Sequence, residues 1–410
     1  MNRKRIGIVL LVGVVLVGVV VAFVMLAPER GKRGSEPTKL SSPEPETGVL
    51  IDEAHVKTAR KLINGGAGFL LENRDSEGGW GKGQFRPATT ALVVKALIQH
   101  PDFDAKHPVI ADAIKVLMKY RHDDGGFYDM GLENYTTSIV LMTLVAVGDP
   151  QYKGAIGDAV KYLKGIQIRV GSKAPDARTI TEDDPMRGGI GYGEQGRPDL
   201  SNVGMTVEAL HDAGLTGDDE AMREVVLFLE KTQNRKESNP LAWAQDGDSD
   251  GGFTYAPALK DNLKMGESKA GPAGPEGKGL RSYGSMGYVG FKSLIYAGLS
   301  KDDPRVKAAF DWIRTYWRLD SNPNMPQAQS LQGLYYYYLA FAKALRAWGE
   351  PVVTDMKGVE HNWRGELIDA LAHRVQKDGS WVNAADRWEE GDPVLVTAYA
   401  VLALEETFRK

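Results

Sequence analysis

The sequence predicts an all-α protein, a ring of six helix pairs that is preceded by one transmembrane helix and a flexible tether. Two observations predict the ring. A loop with a glycine pair and an aromatic residue recurs along the chain, and each loop joins an amphipathic helix to an almost wholly apolar one. A third observation, an apolar stretch without charges near the N-terminus, predicts the transmembrane helix.

The predicted transmembrane helix comes first. Residues 6–27 carry no charge, and as a helix they would span roughly 30 Å, the thickness of a bilayer core. Residues 1–5 include Arg3, Lys4 and Arg5, so this end is expected in the cytoplasm and the C-terminal domain in the periplasm or outside the cell. A cleaved signal peptide is the alternative, although its apolar region is usually only about 7–15 residues long.

A linker and a folded domain follow the apolar stretch. Residues 28–51 are rich in Pro, Ser, Glu and Gly and show no apolar period, which predicts a flexible linker. Apolar residues at helical spacing begin after this segment. The ring domain is therefore expected over residues 52–410.

The composition excludes several kinds of site and partner. A net charge of −4 gives no reason to expect nucleic acid as a partner. Because the chain has no cysteine, it can form neither a disulfide nor a thiolate metal site. The seven histidines are not spaced as metal ligands on a helix, so a zinc site is not expected.

The recurring loop defines the repeat. A further segment, between the fourth copy and the last, has the helices but lacks the glycine pair. Glycine allows a sharp turn and a close approach to the neighbouring unit, and the aromatic residue is expected mainly to pack between units. The copies are Gly78-Gly79-Trp80, Gly125-Gly126-Phe127, Gly188-Gly189-Ile190-Gly191-Tyr192, Gly251-Gly252-Phe253-Thr254-Tyr255 and Asp378-Gly379-Ser380-Trp381.

Helices flank every loop. The first helix of each unit is amphipathic and is expected over residues 54–71, 109–120, 155–166, 220–229, 306–317 and 366–375. The second is apolar on nearly all sides, as buried helices are, and is expected over residues 91–98, 137–147, 203–213, 287–297, 334–347 and 394–404. Its expected N-caps are Thr89, Thr136, Ser201, Ser285 and Asp392. Two such layers favour a closed ring over an open solenoid.

The loop and the helix after it resemble the repeats of squalene–hopene and oxidosqualene cyclases and of protein prenyltransferase β subunits. The resemblance covers roughly residues 55–405 and is carried by segments 78–81, 188–202 and 283–299. It implies an (α/α)6 toroid, and it implies that the protein binds or processes an isoprenoid lipid in the cavity of the ring.

The chain departs from the enzymes that it resembles. Prenyltransferase β subunits bind zinc through Asp, Cys and His, and this chain has no Cys. Hopene cyclases carry an Asp-x-Asp-Asp segment at the start of an inner helix, where a carboxylic acid donates its proton to an alkene, and no such string occurs here. The acids that could serve in its place are Asp184, Asp199 and Asp248.

Two groups of side chains are candidates for ligand binding. Inner-helix N-termini gather at one rim of a closed ring, so nearby arginines could hold an anion such as a diphosphate; the candidates are Arg86, Arg197 and Arg281. Pairing with loop carboxylates is the alternative. Tyrosines could line an aromatic cavity suited to a polyprenyl chain or a cation. The candidates are Tyr192, Tyr283, Tyr288, Tyr296 and at most two of the consecutive tyrosines 335–338, which face all directions on one helix.

One acidic loop resembles a cation site. Asp246, Asp248 and Asp250 alternate before Gly251, a spacing that can bring three carboxylates to one calcium ion. The twelfth position of an EF-hand loop would be Pro257, which cannot act as the acidic ligand. Calcium is therefore a possible cofactor here, and a solvated turn is the alternative.

The sequence leaves the question of catalysis open. The first hypothesis is a cyclase-like or prenyltransferase-like protein that holds an isoprenoid. The second is a scaffold or ligand-binding ring without catalysis, on the outer side of the membrane. The third is a carbohydrate-active enzyme, because such rings also carry pairs of carboxylates roughly 5–10 Å apart across a groove.

Overall fold

Six apolar helices form the inner layer of the fold. The computed structural model describes residues 40–175, 177–193, 196–258, 267–274 and 277–410. The inner helices are α2 (Arg86–Ile98), α4 (Glu133–Val147), α6 (Leu200–Asp212), α9 (Gly284–Tyr296), α11 (Leu334–Trp348) and α13 (Pro393–Glu406). Each contacts the next, and α13 contacts α2, so the layer closes into a ring. Nearly all their side chains are buried, which explains why they lack a polar face.

Six amphipathic helices form the outer layer. They are α1 (Glu53–Glu72), α3 (Pro108–Met118), α5 (Lys153–Gly165), α7 (Glu220–Thr232), α10 (Pro304–Thr315) and α12 (Trp363–Ala372). Of the inner helices, the one that each outer helix contacts most is the one that precedes it in the chain, and α1 packs on α13. The first unit is thereby joined to the last, and the predicted all-α ring of six helix pairs is confirmed.

One short helix and four short strands lie in the loops that join the helices of the ring. The long loop before α9 holds α8 (Ala242–Gln245) and the antiparallel strands β1 (Pro272–Ala273) and β2 (Gly279–Leu280). A second antiparallel pair, β3 (Val353–Thr354) and β4 (Glu360–His361), follows α11, with Val353 opposite His361. None of these strands takes part in the inner or the outer layer.

The glycine loops fasten neighbouring units together. Gly188 has a φ of +79°, and a Cβ atom there would lie 1.8 Å from the Glu224 carbonyl oxygen of the next outer helix, so only glycine fits. The aromatic residue of the first loop is fixed by two bonds. Trp80 donates its ring N–H to the Leu70 carbonyl at 2.6 Å and its backbone N–H to the Thr90 hydroxyl at 2.9 Å. Trp80 is thus a packing residue, as expected.

The inner helices begin earlier than the sequence suggested. Thr89 and Thr136 lie inside α2 and α4, not at their N-caps, because Pro87 starts the first turn of α2 and α4 begins at Glu133. Ser201 and Ser285 likewise lie inside α6 and α9. Asp392 caps α13, as expected. The cap of α6 is instead Asp199.

The folded unit begins at Leu40, before the expected boundary at Asp52. Residues 40–51, which the sequence assigns to a flexible linker, are bonded to the ring. Arg60 donates to the Pro43 carbonyl at 3.0 Å, and the Glu46 N–H donates to the Phe408 carbonyl at 2.7 Å. This part of the linker prediction is wrong, because polar side chains of α1 and the C-terminal backbone supply partners that composition does not show.

The membrane prediction concerns a part of the chain that the structure does not describe. Residues 6–27 lie outside the described residues. Within the described ranges, which begin at Leu40, no helix combines the length and apolar character that a bilayer crossing requires.

Buried charges fill the ring at the C-terminal ends of the inner helices, which we call the closed end. Glu208 on α6 lies against the amines of Lys95, Lys292 and Lys343, which come from three other inner helices. Lys95 also bonds Asp212 at 3.0 Å. Desolvation opposes the ionised form of Glu208, but the three lysines together hold its pKa well below the usual range.

Candidate functional site

A cavity of about 390 Å³ lies at the opposite end of the ring, among the N-terminal ends of the inner helices. Its volume falls in the range of about 300–1,000 Å³ that is usual for small-molecule sites. Most of its lining side chains are aromatic or aliphatic. The aromatic ones are Phe85, Tyr135, Tyr192, Tyr255, Tyr283, Tyr336, Trp388 and Tyr399. We call this end of the ring the open end.

Tyrosine hydroxyls on the cavity wall find partners in one another and in the helices. The Tyr336 hydroxyl lies 3.3 Å from the Ser201 hydroxyl, which joins α11 to α6 across the cavity. The rings of Tyr336 and Tyr399 meet edge to face with centroids 6.2 Å apart. The Tyr399 hydroxyl in turn adjoins that of Tyr135. Burial raises the pKa of all three phenols, so they are neutral hydrogen-bonding groups.

Asp199 stands directly behind this wall. It caps α6 by accepting the Asn202 N–H at 2.9 Å and the Asn202 side-chain amide at 2.8 Å. The hydroxyl of Tyr255, which lines the cavity, lies beside the Asp199 carboxyl and beside the Tyr192 hydroxyl. Burial raises the pKa of Asp199 to about 6, although its hydrogen bonds oppose the shift.

Glu390 is a buried carboxyl group that faces the cavity directly. Its side chain accepts the backbone N–H groups of Tyr335 and Tyr336 at 3.0 and 2.8 Å, and so caps α11 from the last repeat. Asn383 donates to its second oxygen at 2.6 Å. Burial raises the pKa of Glu390 to about 7, against the effect of these donors.

The backbone around the cavity adopts unusual conformations. Leu132, Trp388 and Glu389 line the cavity and have φ values of +57°, +60° and +64°. Left-handed conformations at residues other than glycine cost of order 1–3 kcal/mol each and cluster at functional sites. This strain marks the same end of the ring that the cavity occupies.

The candidate tyrosines separate into two groups. Tyr192 and Tyr283 line the cavity. Tyr288 does not, because its ring is packed 5.4 Å from that of Tyr337 and 5.2 Å from that of Phe341. It lies one helical turn beyond the cavity on α9, where the interior is filled.

The candidate acids are also dispersed. Asp199 adjoins the cavity, as described above. Asp184 is buried in the loop before α6, where it pairs with Arg178 and accepts the Met186 N–H at 2.9 Å. Asp248 is exposed, and neither it nor Asp184 lines the cavity.

None of the three candidate arginines lines the cavity. Arg86 is turned outward to Asp75 at 2.8 Å and Glu77 at 3.2 Å. Arg197 donates to the Pro257 carbonyl at 3.3 Å. The inner-helix N-termini do converge at one rim, but loop carboxylates and carbonyl groups bind Arg86 and Arg197 away from the axis.

The three aspartates of the calcium hypothesis do not converge. Among the described residues, no group of three His, Asp or Glu side chains is arranged to hold a metal ion. Asp250 turns inward and accepts from Ser282 at 2.8 Å and from the Trp312 ring at 3.1 Å, while Asp246 and Asp248 face solvent. The loop is therefore a capped turn, which is the alternative that the sequence offered to a possible calcium site.

Several cavity residues were not among the predicted candidates. They are Glu390, Lys269, Tyr135, Tyr255 and Tyr399. A signal existed for Glu390, because the N-cap residue of α11 is Gly333, which has no side chain to accept from the first turn, so a cap must come from elsewhere. No comparable signal in the sequence identifies Lys269. This residue lies in the long loop before α9, and its amine is 4.2 Å from the centroid of the Tyr255 ring.

Comparison with known proteins agrees with this architecture. Residues 85–260 match the family model of the squalene-hopene cyclase C-terminal domain. No curated protein sequence matches the chain.

Solved structures share the fold. Two structures of the type II terpene cyclase MstE from Scytonema are each 16% identical to this chain, with a TM-score of 0.53. One is a complex with its substrate, geranylgeranyl dihydroxybenzoate, and the other a complex with its product, merosterolic acid A. D-mannose isomerase is 11% identical, also with a TM-score of 0.53. Each alignment covers 87% of this chain and 99% of the other. At such identities the likeness shows the fold alone. The resemblance to the squalene cyclase group, with its α/α toroid, is confirmed by these matches together.

Proposed function

We propose that the ring binds an isoprenoid chain in the cavity at its open end. The observation that carries the proposal is the cavity itself, with its aromatic and aliphatic lining beside Ser201 and Glu390. An apolar pocket with a few convergent polar groups is the usual form of a small-molecule site. The solved complexes of MstE with a geranylgeranyl compound support an isoprenoid as the ligand.

Binding is tested with the full chain in detergent. Geranylgeraniol should quench the fluorescence of Trp388, which lines the cavity mouth. The variant Leu92→Phe adds volume to the apolar lining of the cavity without adding a fluorophore, and should weaken the effect. The matched control is Leu50→Phe, because Leu50 is exposed and does not line the cavity. Equal binding by all three proteins would refute the proposal.

A second candidate function is cyclisation started by a proton, and Glu390 is the observation that favours it. The start of α6 has Asp at the first position of the cyclase segment but Ser201 and Asn202 at the third and fourth. Glu390 faces the cavity and, with a pKa of about 7, is partly protonated near neutral pH. We therefore assign the acid role to Glu390, with Asp199 behind Tyr255 as the alternative.

The catalytic hypothesis is tested by product analysis. Full-length protein incubated with a geranylgeranyl polyene should yield cyclic isomers detectable by mass spectrometry, and Glu390→Gln should remove them without loss of binding. Binding without any cyclic product would instead identify the protein as a non-catalytic ligand-binding ring. Carbohydrate hydrolysis is disfavoured, because most of the lining side chains are aromatic or aliphatic and do not form an open polar groove.

The proposal includes a membrane location. Residues 6–27 would anchor the protein with its N-terminus in the cytoplasm and the ring exported, close to the lipids from which an isoprenoid would come. Cell fractionation and protease accessibility of the ring in intact cells test this. A ring protected from external protease in spheroplasts would contradict it.

A further inference from the structure

The two sides of the cavity differ in polarity. Along α2 and α13 the lining is mainly apolar, with Phe85, Ala88, Leu92 and Leu395, and the hydroxyl-bearing Thr89 and Tyr399 are the exceptions. Along α6, α9 and the loops before them, hydroxyl and amine groups predominate and Met286 is the exception; the polar residues are Tyr192, Ser201, Tyr255, Lys269, Tyr283 and Ser285. We call these the apolar wall and the hydroxyl wall. A ligand that fills the cavity with favourable contacts must therefore be amphipathic.

The charges beside the hydroxyl wall are mainly negative. Lys269 lines the cavity but already forms an ion pair with Glu267. Asp199 lies behind Tyr255, and the carboxyl groups of Glu389 and Glu390 also reach the cavity. An anionic head group placed here would face these carboxylates with one cation that is already neutralised. Burying it would cost more than its hydrogen bonds return.

From these two observations we infer that the ligand is an uncharged isoprenoid with a hydroxyl head group, which lies against the hydroxyl wall at Tyr255 while the chain covers the apolar wall. The inference rests on the proposed function and specifies its ligand. Because the Asp199 carboxyl and the Tyr192 hydroxyl adjoin the Tyr255 hydroxyl, they orient it to exchange hydrogen bonds with an alcohol. Tyr255 is thus the residue that determines selectivity for the head group.

The test compares three probes of equal chain length with the full-length protein in detergent at pH 8. The probes are geranylgeraniol, the hydrocarbon without its hydroxyl, and geranylgeranyl diphosphate. The alcohol should bind about three- to tenfold more tightly than the hydrocarbon, as expected for one or two hydrogen bonds. The diphosphate should bind most weakly.

The variant Tyr255→Phe removes one hydroxyl and keeps the ring. It should reduce the preference for the alcohol to about twofold or less while leaving the affinity for the hydrocarbon unchanged. The control is Tyr152→Phe, because Tyr152 is far along the chain from the cavity lining and does not belong to it. This control should keep the preference of the wild type.

The possible outcomes distinguish failure of the inferred head group from failure of the proposed isoprenoid binding. If no probe binds, the proposed function is wrong. If the alcohol and the hydrocarbon bind equally, or the diphosphate binds most tightly, the ring is an isoprenoid site but the inferred head group is wrong. An unchanged preference in Tyr255→Phe would refute the role of Tyr255.

Discussion

At the closed end of the ring, Glu208 is surrounded by the amines of three lysines, whereas at the open end tyrosine hydroxyls face a cavity of about 390 Å³. Both ends are built from the same six inner helices. The C-terminal halves contribute long charged side chains that reach the axis and fill it. The N-terminal halves contribute rigid rings and small residues such as Ala88 that leave the axis open.

The difference shows how a ring can be closed at one end without an apolar plug. Ion pairs are directional, so each amine fixes the position of the carboxylate that it contacts. Desolvated charges are costly unless every one is paired, so the closed end tolerates few changes. Phenols stay neutral whether or not a ligand is bound. The open end can therefore exchange hydrogen bonds within the protein for hydrogen bonds to a ligand.

The largest expected effect comes from breaking the closed end. Glu208→Ala leaves Lys95, Lys292 and Lys343 buried around an empty position, and should lower the free energy of unfolding by about 3–5 kcal/mol. Urea unfolding followed by circular dichroism measures this. The control is Glu72→Ala at the exposed end of α1, expected within about 0.5 kcal/mol of wild type.

The open end should respond to pH through Glu390. Its pKa is about 7 in the folded protein against a usual 4.5, so the folded state holds a proton that the unfolded state has released. The free energy of unfolding should therefore fall between pH 4.5 and 7, by up to about 3 kcal/mol, and then level off. In Glu390→Gln the part of this decrease that Glu390 contributes should be absent, while the parts from Asp199 and Glu405 remain. An identical pH profile for the two proteins would contradict the assignment.

A smaller pH effect of the same sign is expected at Glu405, near the closed end on α13. Among the described residues its buried carboxyl oxygens have no hydrogen-bond partner, and burial raises its pKa well above the usual range. The folded protein thus keeps this group protonated, and stability is lost as pH rises above the usual carboxyl pKa. Glu405→Gln should stabilise the protein at pH 8 by about 1–2 kcal/mol. Thermal melts at pH 5 and pH 8 should show a gain that is larger at pH 8.

The smallest effect on stability is expected for Arg86, at the rim of the open end. Arg86 pairs with Asp75 and Glu77 in the first loop, so Arg86→Ala should cost about 1 kcal/mol or less. Because Arg86 does not line the cavity, isoprenoid affinity should not change. A loss of diphosphate binding in this variant would restore Arg86 as a ligand residue.

The ring was predictable because its signals are local. The glycine pair, the aromatic residue and the apolar helix fall within one short segment, and Gly188 shows why that segment recurs: it touches the next outer helix through backbone atoms. Even the unit without a glycine pair was recognisable from the apolar run that became α11.

The site was less predictable because it depends on distant pairs. Lys343 and Glu208 are 135 positions apart, and nothing in either helix identifies the other as its partner. Of the tyrosines 335–338, only Tyr336 lines the cavity, and Tyr337 and Tyr338 donate their hydroxyls to backbone carbonyls of the preceding loop. Orientation around a helix axis decides these roles, and a run of identical residues does not reveal it.

The segment of residues 40–51 has a further consequence for the ring. It binds α1 through the Pro43 carbonyl and the C-terminal backbone through Glu46, at the place where the first outer helix meets α13. The first and last helix pairs of the ring are thus held together by noncovalent contacts alone, and this segment adds to them. Loss of these contacts would let the ring open, and the cavity requires a closed ring. The integrity of the ligand site is therefore set in part by a dozen residues that never approach it.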